Sequence, residues 1–133
     1  MGFALVLSYQ VIRSLSAIFL EDSYVLDIAA HPGTVTFAME FVLTPEHKQY
    51  QPPDQGTHHC YRHGFLRFNG VTRCLWSNQG ARPAVDANGE IDFGNIDSFK
   101  WDDAGYLLEG DWGNMELVAE NVQIELQSNA DHA

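Results

Sequence analysis

Apolar and polar residues alternate over much of the chain, with the period of a β-strand. Between Thr34 and Leu43, the residues Val35, Phe37, Met39, Phe41 and Leu43 fall on one face, and Thr34, Thr36 and Glu40 on the other. Successive strand side chains point to opposite sides of a sheet, so this spacing predicts a half-buried strand. His31-Pro32-Gly33 just before it has turn chemistry, which makes Tyr24 to Ala29 its hairpin partner. Thr57 to Phe68 and Val71 to Ser77 flank Asn69-Gly70, a dipeptide favoured in two-residue hairpin loops. Tyr61, Phe65, Cys74 and Trp76 share one face of that second hairpin, and Leu66, Phe68, Val71 and Leu75 the other. Apolar groups on both faces predict a central hairpin covered on both sides.

Two polar loops, Thr44 to Gly56 and Asn78 to Glu90, carry the prolines and glycines that interrupt regular structure. The chain then meanders through short strands at Ser98 to Trp101, Tyr106 to Asp111, Met115 to Ala119 and Val122 to Gln127. Only Gln10 to Leu20 follows a helical period, with Val11, Ile12, Leu15, Ile18 and Phe19 on one side, and it predicts one short helix near the N terminus. The whole reads as a mainly β, single-domain antiparallel β-sandwich or partly open barrel of about eight strands, because such sheets must bury one face. That domain is expected to span residues 1–133, with 1–20 as an N-terminal strand or helix segment and 128–133 as a frayed tail. Periodicity does not give sheet order, so sandwich and barrel both stay open.

Composition narrows the possible partners. The chain is 45% hydrophobic and has eight Phe, five Tyr and three Trp, enough for a packed core. Its formal charge of −11 is unevenly placed, since Lys100 is the only base after residue 85. An acidic final third argues against nucleic-acid binding, which needs Lys and Arg to displace counterions from phosphates. It favours a basic protein partner, with Asp97, Glu109, Asp111, Glu116, Glu120 and Glu125 as the contacting residues, or serves solubility alone. The apolar start has no basic residue ahead of Phe3 to Leu7, and Arg13 interrupts it, so neither a signal segment nor a membrane span is expected. Two cysteines, Cys60 and Cys74, are too few for a disulfide framework. The hairpin register sets Cys74 opposite Phe65, with Cys60 out of bonding range, so reduced thiols in a cytoplasmic protein are expected.

Few residues carry recognisable chemistry. His58-His59-Cys60-Tyr61-Arg62-His63 is the densest group of potential ligands. On a strand, His58 and Cys60 share a face roughly 6.6 Å apart, and a metal there needs a third ligand such as His47. Strand histidines beside one buried, inert thiol are the simpler reading, and no cofactor is expected. Asp86 to Asp92 resembles the middle of a calcium loop, but Ala84 and Asn95 stand where the first and last ligands belong. Glu109 and Asp111 would share a strand face like a glycosidase pair, without a third carboxylate to support them. An enzyme is therefore disfavoured. A pocket inside the β-structure lined by Tyr61, His63, Trp76 and Trp101 is the alternative, for binding or hydrolysing a small molecule, and a homodimer stays open.

Five phrases carry a resemblance. They are Glu21-Asp22-Ser23-Tyr24-Val25-Leu26, Val42-Leu43-Thr44-Pro45-Glu46-His47, His59-Cys60-Tyr61-Arg62, Gly94-Asn95-Ile96-Asp97-Ser98 and Leu108-Glu109-Gly110-Asp111-Trp112-Gly113. Together they resemble a group of small bacterial all-β proteins of no assigned activity. The chain is also similar to the immunity proteins of bacterial polymorphic toxin systems, which are small, often acidic, and all-β or α+β. That resemblance implies a non-enzymatic protein that binds a basic toxin, and it brings no motif from which individual residues transfer. Physically, Tyr24 and Trp112 suit a core or interface, and Arg62 is placed to pair with a nearby carboxylate.

Overall fold

The computed structural model describes residues 7–9, 12, 15–53, 59–79, 84–85 and 91–127. Their strands are β1 (Leu7–Ser8), β2 (Tyr24–His31), β3 (Gly33–Leu43), β4 (Cys60–Val71), β5 (Arg73–Ser77), β6 (Ala84–Val85), β7 (Ile91–Asp92), β8 (Ile96–Asp102), β9 (Gly105–Gly110), β10 (Gly113–Val118) and β11 (Asn121–Leu126). A five-stranded sheet in the order β1-β8-β9-β10-β5 packs on a four-stranded sheet in the order β11-β4-β3-β2, and β6 and β7 form a separate ribbon. All pairings are antiparallel, and the two large sheets stay separate. The architecture is thus an open β-sandwich.

The alternation in β3 does what its pattern demands. Val35, Phe37, Met39 and Phe41 are buried and meet Leu66 and Phe68 of β4 in the shared core. Burying one such side chain contributes roughly 1.5–3 kcal/mol, so this face commits β3 to the sheet interior. From the opposite sheet come Phe99, Leu108, Met115 and Leu117, with Trp112 from the β9–β10 turn. Phe37 packs edge-on against both Phe68 and Trp112, tying the two layers together.

The second hairpin does not form. β4 runs straight through Asn69-Gly70, and β5 leaves for the other sheet, where it pairs with β10. Gly70 takes the left-handed conformation that Asn-Gly signals, φ +64°, but uses it for a β-bulge. The register slips there, from Thr34 opposite Asn69 to Gly33 opposite Val71. A bulge bends a strand and adds twist, which here carries the chain between layers. Cys74 consequently lies opposite Leu117, not Phe65. β4 is central in its sheet, yet its outer face is open: Tyr61 is exposed and His63, Phe65 and Arg67 are half-buried.

The segment expected as a helix also behaves differently in its described part. Ile12, Leu15 and Ile18 donate to carbonyls three residues earlier, and Leu20–Asp22 is a 3₁₀ turn. Apolar residues at 12, 15 and 18 repeat every three positions, which is the 3₁₀ period as much as the α period. Ile18 then bridges Leu43, and the Phe19 N–H donates to the Val42 carbonyl, so the segment extends the end of β3. Phe19, expected on the apolar face, is exposed. The expected tail, 128–133, lies outside the described residues.

Candidate functional site

The core is filled by aromatic and aliphatic side chains, so the surfaces available for function are the two outer sheet faces and the seams between sheets. On the five-stranded sheet, inward residues Phe99, Leu108, Met115 and Trp76 form one cross-strand row. Their neighbours therefore point outward. One outward row is Ser98, Glu109, Asn114 and Ser77; the next is Lys100, Leu107, Glu116 and Leu75; Val118 and Arg73 pair beyond it. Glu109 and Glu116 are exposed, as are Leu75 at 47% and Val118 at 39%. A groove of about 300 Å³ crosses this face over Gly105 and Leu107, with Lys100, Glu116, Arg73 and Trp101 among its walls.

The six carboxylates anticipated as one patch are divided. Asp97, Glu109, Asp111 and Glu116 belong to the five-stranded sheet and its turns. Asp97 lies at a bulge in β8, and burial, with a second contribution from the Asp111 charge, pushes its carboxyl above the usual range. Glu120 lies at the corner beside Gly70. Glu125 is on the other sheet, where Arg67 donates to it at 2.6 Å and stacks over Phe65. Glu109 and Asp111 do not share a strand face, because β9 ends at Gly110 and Asp111 falls in the turn.

Tyr61, His63, Trp76 and Trp101 are not brought together either. Tyr61 and His63 stand on the outer face of the four-stranded sheet, where His63 Nε2 lies 3.3 Å from Glu40 and His59 Nε2 lies 3.8 Å from Asp22. Tyr61 packs against Tyr24 and His59, and burial raises its phenol pKa, helped by Tyr24, Glu40 and Asp22. Trp101 borders the groove on the five-stranded sheet. Trp76 lines a separate cleft of about 160 Å³ with Asp27, Ile28, Phe93, Trp112 and Gln79. Sequence reasoning missed this cleft because its residues come from four distant segments, and Trp76 and Trp112 stand too far apart in the chain for any spacing to relate them.

The remaining candidates separate in the same way. Cys60 is buried and Cys74 is exposed, and both thiols are free. His58 and most of the Asp86 to Asp92 segment lie outside the described residues. Among the described residues, no three His, Cys, Asp or Glu side chains converge as a metal site requires. His47, the proposed third ligand, accepts the Gln49 N–H, and its pKa is lowered first by burial and then by Arg62 and Lys48. Among the described residues, Arg62 binds no carboxylate; it donates to the Gln127 carbonyl at 2.5 Å. Among the described residues, no helix is long and apolar enough to cross a membrane.

Fold and surface together define a small antiparallel β-sandwich with an acidic and apolar sheet face and an aromatic cleft. Compared with family models, curated proteins and solved structures, the chain matches none.

Proposed function

We propose that this chain is a non-enzymatic binding protein that meets a basic protein partner through the outer face of its five-stranded sheet. The observation that carries this reading is the make-up of that face. Leu75, Leu107 and Val118 lie in adjoining ladder positions, interleaved with Glu109 and Glu116, with Lys100 opposite Leu107, Arg73 opposite Val118, and Asp97 and Asp111 nearby. Scattered exposed leucines need no explanation, but contiguous apolar groups set among charged side chains, most of them carboxylates, have the composition of an interface. The apolar centre would supply affinity, and the carboxylates would steer a basic partner over distances limited by a Debye length of about 8 Å. The resemblance read from the sequence phrases implies a toxin, met in the cytoplasm, as that partner. Glu120 and Glu125 lie off this face and are not part of the contact.

The test is affinity capture from a bacterial lysate at low and high salt, with a Glu109→Lys/Glu116→Lys double variant and Glu125→Lys run alongside. The expected result is a basic protein held at low salt by the wild type and by Glu125→Lys, and lost with the double variant. Retention by the double variant, or recovery of only acidic or no proteins, defeats the proposal.

A further inference from the structure

We propose that the cleft on the seam between β2 and β5 is a binding site for an alkylated ammonium head group. These are the edge strands of the two sheets, and where they face each other the sandwich leaves the 160 Å³ space lined by Trp76, Trp112, Phe93, Ile28, Asp27 and Gln79. It holds about five waters' worth of volume, enough for a small organic cation and too little for a nucleotide.

Three aromatic walls and one carboxylate set the chemistry. The Trp76 and Trp112 rings stand 6.5 Å apart at 67°, two walls of a box. Each indole N–H is already engaged: Trp76 Nε1 donates to the Trp112 carbonyl and Trp112 Nε1 to the Asn95 carbonyl, both at 3.1 Å. The rings are thereby fixed in place; half-buried Trp76 offers a ligand its π face and C–H edges, and Trp112, 2% exposed, closes the inner end of the cleft. Phe93 is held against β2 by its N–H to the Val25 carbonyl and by the Val25 N–H to the Gly94 carbonyl, each 2.8 Å. Phe37 packs edge-on behind Trp112 at 5.2 Å, which makes that wall rigid.

The fourth element is Asp27, an exposed residue just past the bulge in β2. Among the described residues, no ion pair engages its carboxylate and no cation lines the cleft. Ring quadrupoles and a carboxylate both attract positive charge and repel anions. A compact, strongly hydrated metal ion would lose its water shell for few oxygen ligands here, whereas an alkylated ammonium gives up little hydration and gains contact with every wall. The cleft is separate from the acidic sheet face, so this inference does not depend on the proposed partner.

The experiment follows the three indole N–H signals by NMR while titrating choline, N-acetyl-trimethyllysine methylamide, and the uncharged choline isostere 3,3-dimethylbutan-1-ol at constant chloride. Choline is expected to shift the Trp76 and Trp112 signals, not Trp101, with a dissociation constant in the millimolar range. The isostere should bind at least about tenfold more weakly. Asp27→Asn, a change at an exposed position, should weaken choline about tenfold and leave the isostere unchanged. Response to choline alone supports a free small-molecule ligand; response to both ammonium probes supports a site that also accepts a modified side chain. Equal binding of choline and its isostere, an unaltered choline affinity in Asp27→Asn, or no shift with either ammonium at roughly 50 mM overturns the proposal.

Discussion

Replacing Ser23 by alanine should destabilise the fold by leaving a buried backbone donor without its partner. Ser23 is the one fully buried polar residue among the described residues. Its Oγ donates to the Phe19 carbonyl at 2.8 Å and accepts the Val42 N–H at 2.9 Å. The second bond matters more. β2 starts at Tyr24, opposite Glu40, so the ladder has run out where the Val42 N–H still points toward it. The serine hydroxyl takes the place of the missing strand carbonyl, as buried backbone donors require. In Ser23→Ala the Phe19 carbonyl keeps the Asp22 N–H at 3.3 Å, so only the Val42 donor is orphaned. A buried donor without a partner costs about 1–3 kcal/mol. For a chain of this size, about 2 kcal/mol lowers the thermal midpoint by roughly 6–10 °C. Thr44→Ala is the control: its hydroxyl reaches the Ala17 carbonyl at 3.3 Å, and that carbonyl retains the Thr44 N–H at 3.0 Å, so less than about 1 kcal/mol is expected. Urea denaturation with amide hydrogen exchange measures both. If Ser23→Ala stays within about 0.5 kcal/mol of wild type and the Val42 amide exchanges no faster, the hydroxyl does not complete the ladder.

Two further outcomes test the strand bulges. Burial and the Asp111 charge raise the Asp97 pKa, so the folded chain holds that proton more tightly than the unfolded chain does. The penalty is complete above the folded pKa and fades as pH falls toward the ordinary carboxylate value of about 3.9. Asp97→Asn should therefore raise the thermal midpoint at neutral pH, with the gain shrinking toward acid; a gain independent of pH contradicts this. Gly70→Ala should destabilise through two separable effects, a left-handed backbone costing about 1–2 kcal/mol and a Cβ that meets the Glu120 side chain at 2.5 Å. Adding Glu120→Ala should recover only the second, and a double-mutant cycle with no coupling between the two positions would show that the contact is immaterial.

Local pattern was sufficient wherever a residue's role depends on its immediate neighbours. The period-two runs announced β3 and the strands of the C-terminal meander, and His31-Pro32-Gly33 announced the turn into β3. The same reasoning failed at Asn69-Gly70. The dipeptide specifies a left-handed residue, and both a two-residue turn and a bulge satisfy that requirement. Which one forms depends on whether β5 gains more by folding back on β4 or by pairing with β10, and those strands lie some 40 residues apart.

The candidate surfaces show the same division. That the final third is acidic follows from composition, but whether its carboxylates act together does not. Register placed Glu109 and Glu116 on one face and sent Glu125 to the opposite one. The aromatic cleft was still less legible, because no periodicity relates Asp27, Trp76, Phe93 and Trp112; they meet only where the edges of two sheets are superposed. The chain's own order of residues thus determined an all-β protein, its strand segments and its negative charge, since these arise from neighbours a few residues apart. Sheet order, the crossing at Gly70 and every candidate surface were decided by tertiary pairing, where small differences in long-range contact energy select among arrangements that the local pattern allows equally.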